Sequence, residues 1–137
     1  MSGFRVIRPS DRSPDTASGA MRREAAVSNS LVGAGALWFG YVELAPGARS
    51  AVHHHGESES AIYVISGHAR FWAGPDLTEA HDADAGDFVW VPPFEVHAEA
   101  NRSDSEPVRM AVARSTQEAI VVNLPTPAGW PPNLKET

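Results

Sequence analysis

The sequence predicts an all-β fold, a single-domain sandwich or barrel of short strands. Three observations lead there. Runs of aromatic and β-branched residues recur along the chain and are cut by Gly or Pro about every 8–12 residues, the spacing of strands in such domains. Eleven Gly and eleven Pro in 137 residues supply the turns between them. No segment sustains a 3.6-residue apolar period with caps at both ends, so no long helix is expected. A chain of this length has room for one core.

Residues 1–30 read as an N-terminal arm with short strands: 4–8 is an edge strand ended by Pro9, 10–19 is a loop carrying Pro14, and 21–28 is a second short strand. Residues 31–124 hold the barrel core. Segment 36–44 is rich in aromatic and β-type residues and stops at Pro46-Gly47. Within it Trp38, Gly40, Val42 and Leu44 share one face, and Phe39, Tyr41 and Glu43 the other. Segment 61–65 ends at Ser66-Gly67, and 69–72 ends at Gly74-Pro75. With Ser66-Gly67 as the turn, these two pair as a hairpin. Segment 80–84 is a weaker strand, and 87–91 is a strong one stopped by Pro92-Pro93. Segments 96–100, 108–114 and 119–123 continue the pattern. The tail, residues 125–137, carries four prolines and is expected to wrap the surface without regular structure.

Composition excludes several functions. Seventeen acidic residues against eleven basic ones give a net charge of −6, and Arg22-Arg23 is the one adjacent basic pair. Nucleic acid is therefore not an expected partner. The lack of cysteine excludes disulfides, thiolate metal sites and cysteine nucleophiles. No apolar run reaches the roughly 18 residues of a membrane span. The N-terminus lacks a signal-peptide layout, so a cytoplasmic location is expected. Neither a glycine-rich phosphate loop nor a Gly-x-Ser-x-Gly elbow is present.

Histidine is the sharpest chemical signal. Six are present, and His53, His54 and His55 are consecutive. In an extended segment His53 and His55 share a face while His54 turns away, as a surface or supporting group. Glu57 and Glu59 keep that parity if the extension continues. A further donor must come from elsewhere, and His97 is the best candidate, just beyond a strand that ends at Val91. His68 and His81 read as surface histidines. Gly47, Gly67 and Gly86 read as turn residues, and Asn101 as a hydrogen-bonding turn residue.

Gly47-x5-His53-x-His55-x3-Glu59, followed by Gly67, resembles the first motif of the cupin superfamily. Gly86-x5-Pro92, then His97-x3-Asn101, resembles the second. Together they span residues 47–101. The resemblance, to a small single-domain cupin, implies a jelly-roll β-barrel (a double-stranded β-helix) holding one divalent metal on His53, His55, Glu59 and His97. Imidazole and carboxylate donors suit Fe, Mn, Ni, Co, Cu or Zn. The expected function is a metal-dependent enzyme, oxygenase-like or an isomerase, acting on a small organic molecule. The alternatives are a non-catalytic small-ligand binder or sensor with a structural metal, and a metal-free cupin resembling sugar epimerases. A homodimer is expected, both from the resemblance and because pairing sheets across a two-fold axis would cover long aromatic strands.

The chain departs from the pattern twice. Seven residues rather than six separate Glu59 from Gly67, so counting back from the glycine reaches Ser60. Either a bulge near Gly56 carries Glu59 to the metal, or Ser60 faces it and the carboxylate is missing; Glu57 is a third option. On the first reading, Glu59→Gln weakens metal binding more than Ser60→Ala or Glu57→Gln. Phe94 stands where the pattern often has glycine, adding apolar bulk beside His97. Trp38, Trp90, Phe94 and Met110 are the expected apolar pocket walls. Metal affinity is expected to fall as pH drops through about 6.5, where free imidazole protonates.

Overall fold

In the computed structural model, which describes residues 2–17 and 19–130, alternation of side chains decides where strands form. They are β1 (Ser13–Pro14), β2 (Met21–Val27), β3 (Trp38–Leu44), β4 (His53–His54), β5 (Ser60–Ser66), β6 (His68–Ala73), β7 (Glu79–Asp84), β8 (Phe88–Val91), β9 (His97–Asn101), β10 (Val108–Arg114) and β11 (Val122–Asn123). A 3-10 turn covers Pro9–Asp11. A one-turn helix, α1 (Asn29–Val32), is capped by the Ser28 hydroxyl, which accepts from the Leu31 N–H, and closed by left-handed Gly33.

The strands make two antiparallel sheets facing each other as a jelly roll. One has the order β1-β2-β3-β10-β5-β8, the other β11-β4-β9-β6-β7. In the first sheet Trp38, Val42 and Leu44 of β3, Val64 of β5 and Val108, Met110 and Val112 of β10 point inward and are buried. Phe71 and Ala83 meet them from the second sheet. Alternation puts Gly40 on this inward face, where a Cβ would collide with the Trp38 indole and the Glu24 carbonyl.

A second apolar cluster lies on the outer face of the second sheet. Val52, Trp72, Leu77, Ala98 and Ala100 are covered by Val96, Leu124 and Trp130. Trp130 sits edge-on to Trp72 at 5.4 Å, and the Leu124 N–H donates to the Val52 carbonyl at 2.8 Å. Up to residue 130 the tail therefore runs over the surface; residues 131–137 lie outside the described residues.

Three expectations change. Residues 4–8 are irregular, with no strand. The barrel begins before residue 31, because β2 pairs along β3 and puts Met21 and Ala25 into the core. The pair expected as a hairpin is split between sheets: β5 bonds to β10 and β8, and β6 to β7 and β9. Gly67 is a corner between the two layers, at φ +92°, where a Cβ would lie 2.5 Å from the Pro107 carbonyl oxygen. Sequence marked the turn but not which sheet each strand joins.

Asn101 fastens the end of the barrel away from the histidines. It is 1% exposed. Its Nδ2 donates to the Leu44, Ala45 and Glu106 carbonyls at 3.2, 3.2 and 2.7 Å, and its Oδ1 accepts from the Ser103 N–H at 2.8 Å. Asn101→Asp keeps the shape but replaces the donor with an acceptor facing three carbonyls. It is expected to cost about 2–4 kcal/mol, as for a buried polar group stripped of its partners. Urea denaturation of the two proteins measures this; equal midpoints would refute it.

Candidate metal centre

His53 and His97 are opposite each other in the β4–β9 register. His55 follows two residues after His53 on the same face. The three rings meet with centroids 4.8 Å apart for His53–His55, 4.3 Å for His53–His97 and 5.2 Å for His55–His97. One nitrogen from each lies within 4.8 Å of the others, and among the described residues this is the group that could hold a metal ion.

Backbone carbonyls fix the tautomers. Nδ1 of His53 meets the Ala51 carbonyl at 2.7 Å, Nδ1 of His55 the Ile120 carbonyl at 2.8 Å, and Nδ1 of His97 the Glu95 carbonyl at 2.8 Å. A carbonyl only accepts, so each Nδ1 carries the proton and each Nε2 keeps its lone pair. His53 is fully buried, and its Nε2 has no hydrogen-bond partner. A buried acceptor without a donor is costly unless a cation completes it. The donor set and the orphaned nitrogen therefore fit a divalent ion.

Electrostatics keeps His53 and His55 neutral. Burial, with His97 close by, holds His53 down to about 3. Burial lowers His55 to about 4, against the opposing pull of the Ile120 carbonyl and of Glu99. The expected loss of metal affinity through pH 6.5 is corrected for these two: their nitrogens stay unprotonated well below the range of free imidazole.

The carboxylate expectation is also corrected. Extension ends at His55, where Gly56 adopts φ +57° and the Ser58 N–H turns back to the His55 carbonyl at 3.1 Å. Past this turn the parity is reversed: Ser58 and Ser60 are buried, while Glu57 and Glu59 are exposed. Glu59 is held outward, its N–H donating to the Ser115 hydroxyl at 3.0 Å. The register counted back from Gly67 was the correct one, so Ser60 faces inward.

Two charged residues that sequence reasoning missed also point into this half of the barrel. Glu99, two residues beyond His97 and on its face, is 3% exposed, and Arg23, on the inward face of β2, is 7% exposed. Burial pushes the Arg23 guanidinium down, opposed by Glu99 and Asp15. Period-two parity with His97 would have found Glu99, and parity with Met21 and Ala25 would have found Arg23.

The pocket walls divide. Trp38 and Met110 are buried core residues, Trp38 lying under the Arg114 guanidinium at 3.9 Å. Phe94 is corrected: it is exposed, at φ +60°, with its ring 6.1 Å from His54. That positive φ explains why glycine suits the position. Trp90 borders a cavity of about 180 Å³ that reaches His97. His54 accepts the Gly56 N–H at 3.0 Å, and His68 pairs with Asp84 on the surface.

The metal-free protein should lose stability in mild acid. Both folded-state values lie below the unfolded value of about 6.5, so the unfolded chain binds more protons between about 6.5 and 3. Stability therefore falls as pH drops through that window, by several kcal/mol between about pH 7 and 4.5. Urea denaturation at the two pH values tests this. The expected contrast is a flatter profile for His53→Gln/His55→Gln; identical profiles would contradict it.

Among solved structures the chain is similar to the polyketide cyclase RemF from Streptomyces resistomycificus, with a TM-score of 0.75 and 18% identity over 91% of this chain and 88% of that one. It is similar to oxalate decarboxylase of Bacillus subtilis, with a TM-score of 0.69 and 25% identity over 84% of this chain but 30% of that longer one. An uncharacterised double-stranded β-helix protein from Klebsiella pneumoniae gives a TM-score of 0.63 at 22% identity, covering 88% of this chain and 91% of that one. These likenesses show the fold. No curated protein matches the sequence. The family model described as Cupin domain matches residues 40–114, more than half of the chain, and the chain belongs to the cupin family.

Proposed function

We propose that the protein is a metal-dependent enzyme acting on a small organic molecule, with one divalent transition metal held by Nε2 of His53, His55 and His97. The observation that carries this is the buried, unpartnered Nε2 of His53, in a ring whose other nitrogen is tied to a carbonyl. Three imidazole donors suit Fe, Mn, Ni, Co, Cu or Zn. Oxalate decarboxylase of Bacillus subtilis has Mn(II) centres, which supports a divalent ion. Bound there, the ion supplies Lewis acidity and a template for substrate and, if redox-active, oxygen chemistry.

The chain's own residues then have definite tasks. The Ala51, Ile120 and Glu95 carbonyls orient the rings. The buried Glu99 carboxylate holds or moves a proton beside the centre, and Arg23 faces it across the barrel. An oxygenase is the leading class. A proton-transferring isomerase is the second reading, favoured by Glu99.

Metal content by mass spectrometry of untagged protein tests the centre. Wild type is expected to carry about one ion per chain and His53→Ala/His97→Ala almost none. Glu59→Gln should match wild type, because its side chain points to solvent. Stoichiometric metal in the double histidine variant would overturn the site. Oxygen consumption with a substrate panel separates the classes, since an isomerase turns over without it.

We also propose that a second copy of the chain covers the outer face of the first sheet. Phe88 is 78% and Phe39 48% exposed there. The register sets Ala61, Ala111 and Ala113 as a flat strip between Phe39 on one side and Tyr63, Phe88 and Trp90 on the other. A two-fold axis seats the aromatic ridges of each copy on the alanine strip of the other. Arg22, Glu43 and Arg109 supply both charges on this face. Light scattering at tens of micromolar, on the order of ordinary dimer affinities, should give a dimer mass for wild type and a monomer for Phe39→Glu/Phe88→Glu. A monomeric wild type would refute it.

A further inference from the structure

The cavity of about 180 Å³ is lined from β7 and β8, the edge strands of the two sheets. Its floor is apolar: Phe71, Ala83, Val89 and Val91. His97 is among its lining residues, so its occupant would lie close to a residue of the metal centre. The rim is acidic. Glu79 and Glu95 line it, and among the described residues neither is in an ion pair. Asp82 also lines it, but its carboxylate is taken by Arg70 Nε at 2.6 Å and Nη2 at 3.0 Å. His81 stands on the same rim, on the inward parity of β7 with Ala83.

Size and charge together select the occupant. A cavity of roughly 150 Å³ holds a benzene-sized body, so this one takes a single ring or a short chain of similar bulk. Two unpaired carboxylates at the rim favour a cation and repel an anion. A small dicarboxylate such as oxalate lacks the apolar body that this floor would cover.

We infer that this cavity is the substrate subsite of the metal centre and that it takes a small primary amine with an apolar body of about one ring. The body lies on Phe71, Ala83, Val89 and Val91, the ammonium group sits between Glu79 and Glu95, and the reacting end faces His97. The inference rests on the metal-enzyme reading for its role, but the chemistry of the cavity stands on its own lining.

Calorimetric titration of the metal-free protein with benzylamine, benzyl alcohol and benzoate isolates that chemistry. Benzylamine is expected to bind about ten-fold more tightly than benzoate at low ionic strength, a gap of the size two partly exposed charges support, and the gap should shrink in about 0.5 M salt. Glu79→Gln/Glu95→Gln, surface changes that spare the core, should erase the preference. Val89→Trp should fill the floor and weaken all three ligands. In Mn(II)-loaded protein the benzylamine proton resonances should broaden, placing the ring near the ion. Benzoate binding as tightly as benzylamine, a preference that survives the double glutamine variant, no binding of any probe at millimolar concentration, or binding without broadening would each overturn the inference. Failure to retain Mn(II) with the amine preference intact would instead sink the metal-enzyme reading and leave the amine site standing.

Discussion

Three hydrogen bonds from imidazole Nδ1 to backbone carbonyls set the character of this molecule. Each carbonyl belongs to a different stretch of chain: Ala51 before β4, Glu95 before β9 and Ile120 before β11. Two of the bonds are local, His53 and His97 each reaching back two residues along their own segments, while the His55 bond to Ile120 holds only with β11 seated beside β4. They also determine which nitrogen faces the interior. Burial then keeps His53 and His55 in the neutral form that a metal requires.

A single turn sets the charge of the centre. Gly56 in the left-handed region reverses the chain after His55 and shifts the inward parity from the glutamates to the serines. The three histidines are left without a carboxylate among them. The barrel's own negative charge in this half comes instead from Glu99, carried on the strand of His97. The same arrangement leaves Arg23 buried opposite it, two charges that water would otherwise screen.

The two sheets treat their outer faces differently. The second sheet is covered by its own chain, with Leu124 and Trp130 lying over Trp72, Ala98 and Ala100. The first leaves Phe39, Ile65, Phe88 and Trp90 in solvent. Alternation explains the difference locally: each of these residues sits one position from an inward-facing neighbour, and none of the described residues of the tail reaches that side. An apolar sheet face of this kind is a surface that favours association.

Much of this was legible in the sequence. Period-two alternation and Gly/Pro punctuation identified the principal strands, with Val108–Arg114 matching to the residue, because these signals are local. Parity alone put His53 and His55 on one face, and two motifs brought in His97. What the sequence left open was decided by contacts between residues far apart. β5 and β6 join different sheets, with Gly67 at the corner between them, close to Pro107 and Val108. The inward side of β3 depended on which face met the second sheet, and thus separated Trp38 from Phe39. Glu59 was lost to solvent because one turn reset a period-two count, to which parity is sensitive at every step. Glu99 and Arg23 carried no motif of their own; only the closing of two sheets over them made one carboxylate and one guanidinium neighbours of the histidines.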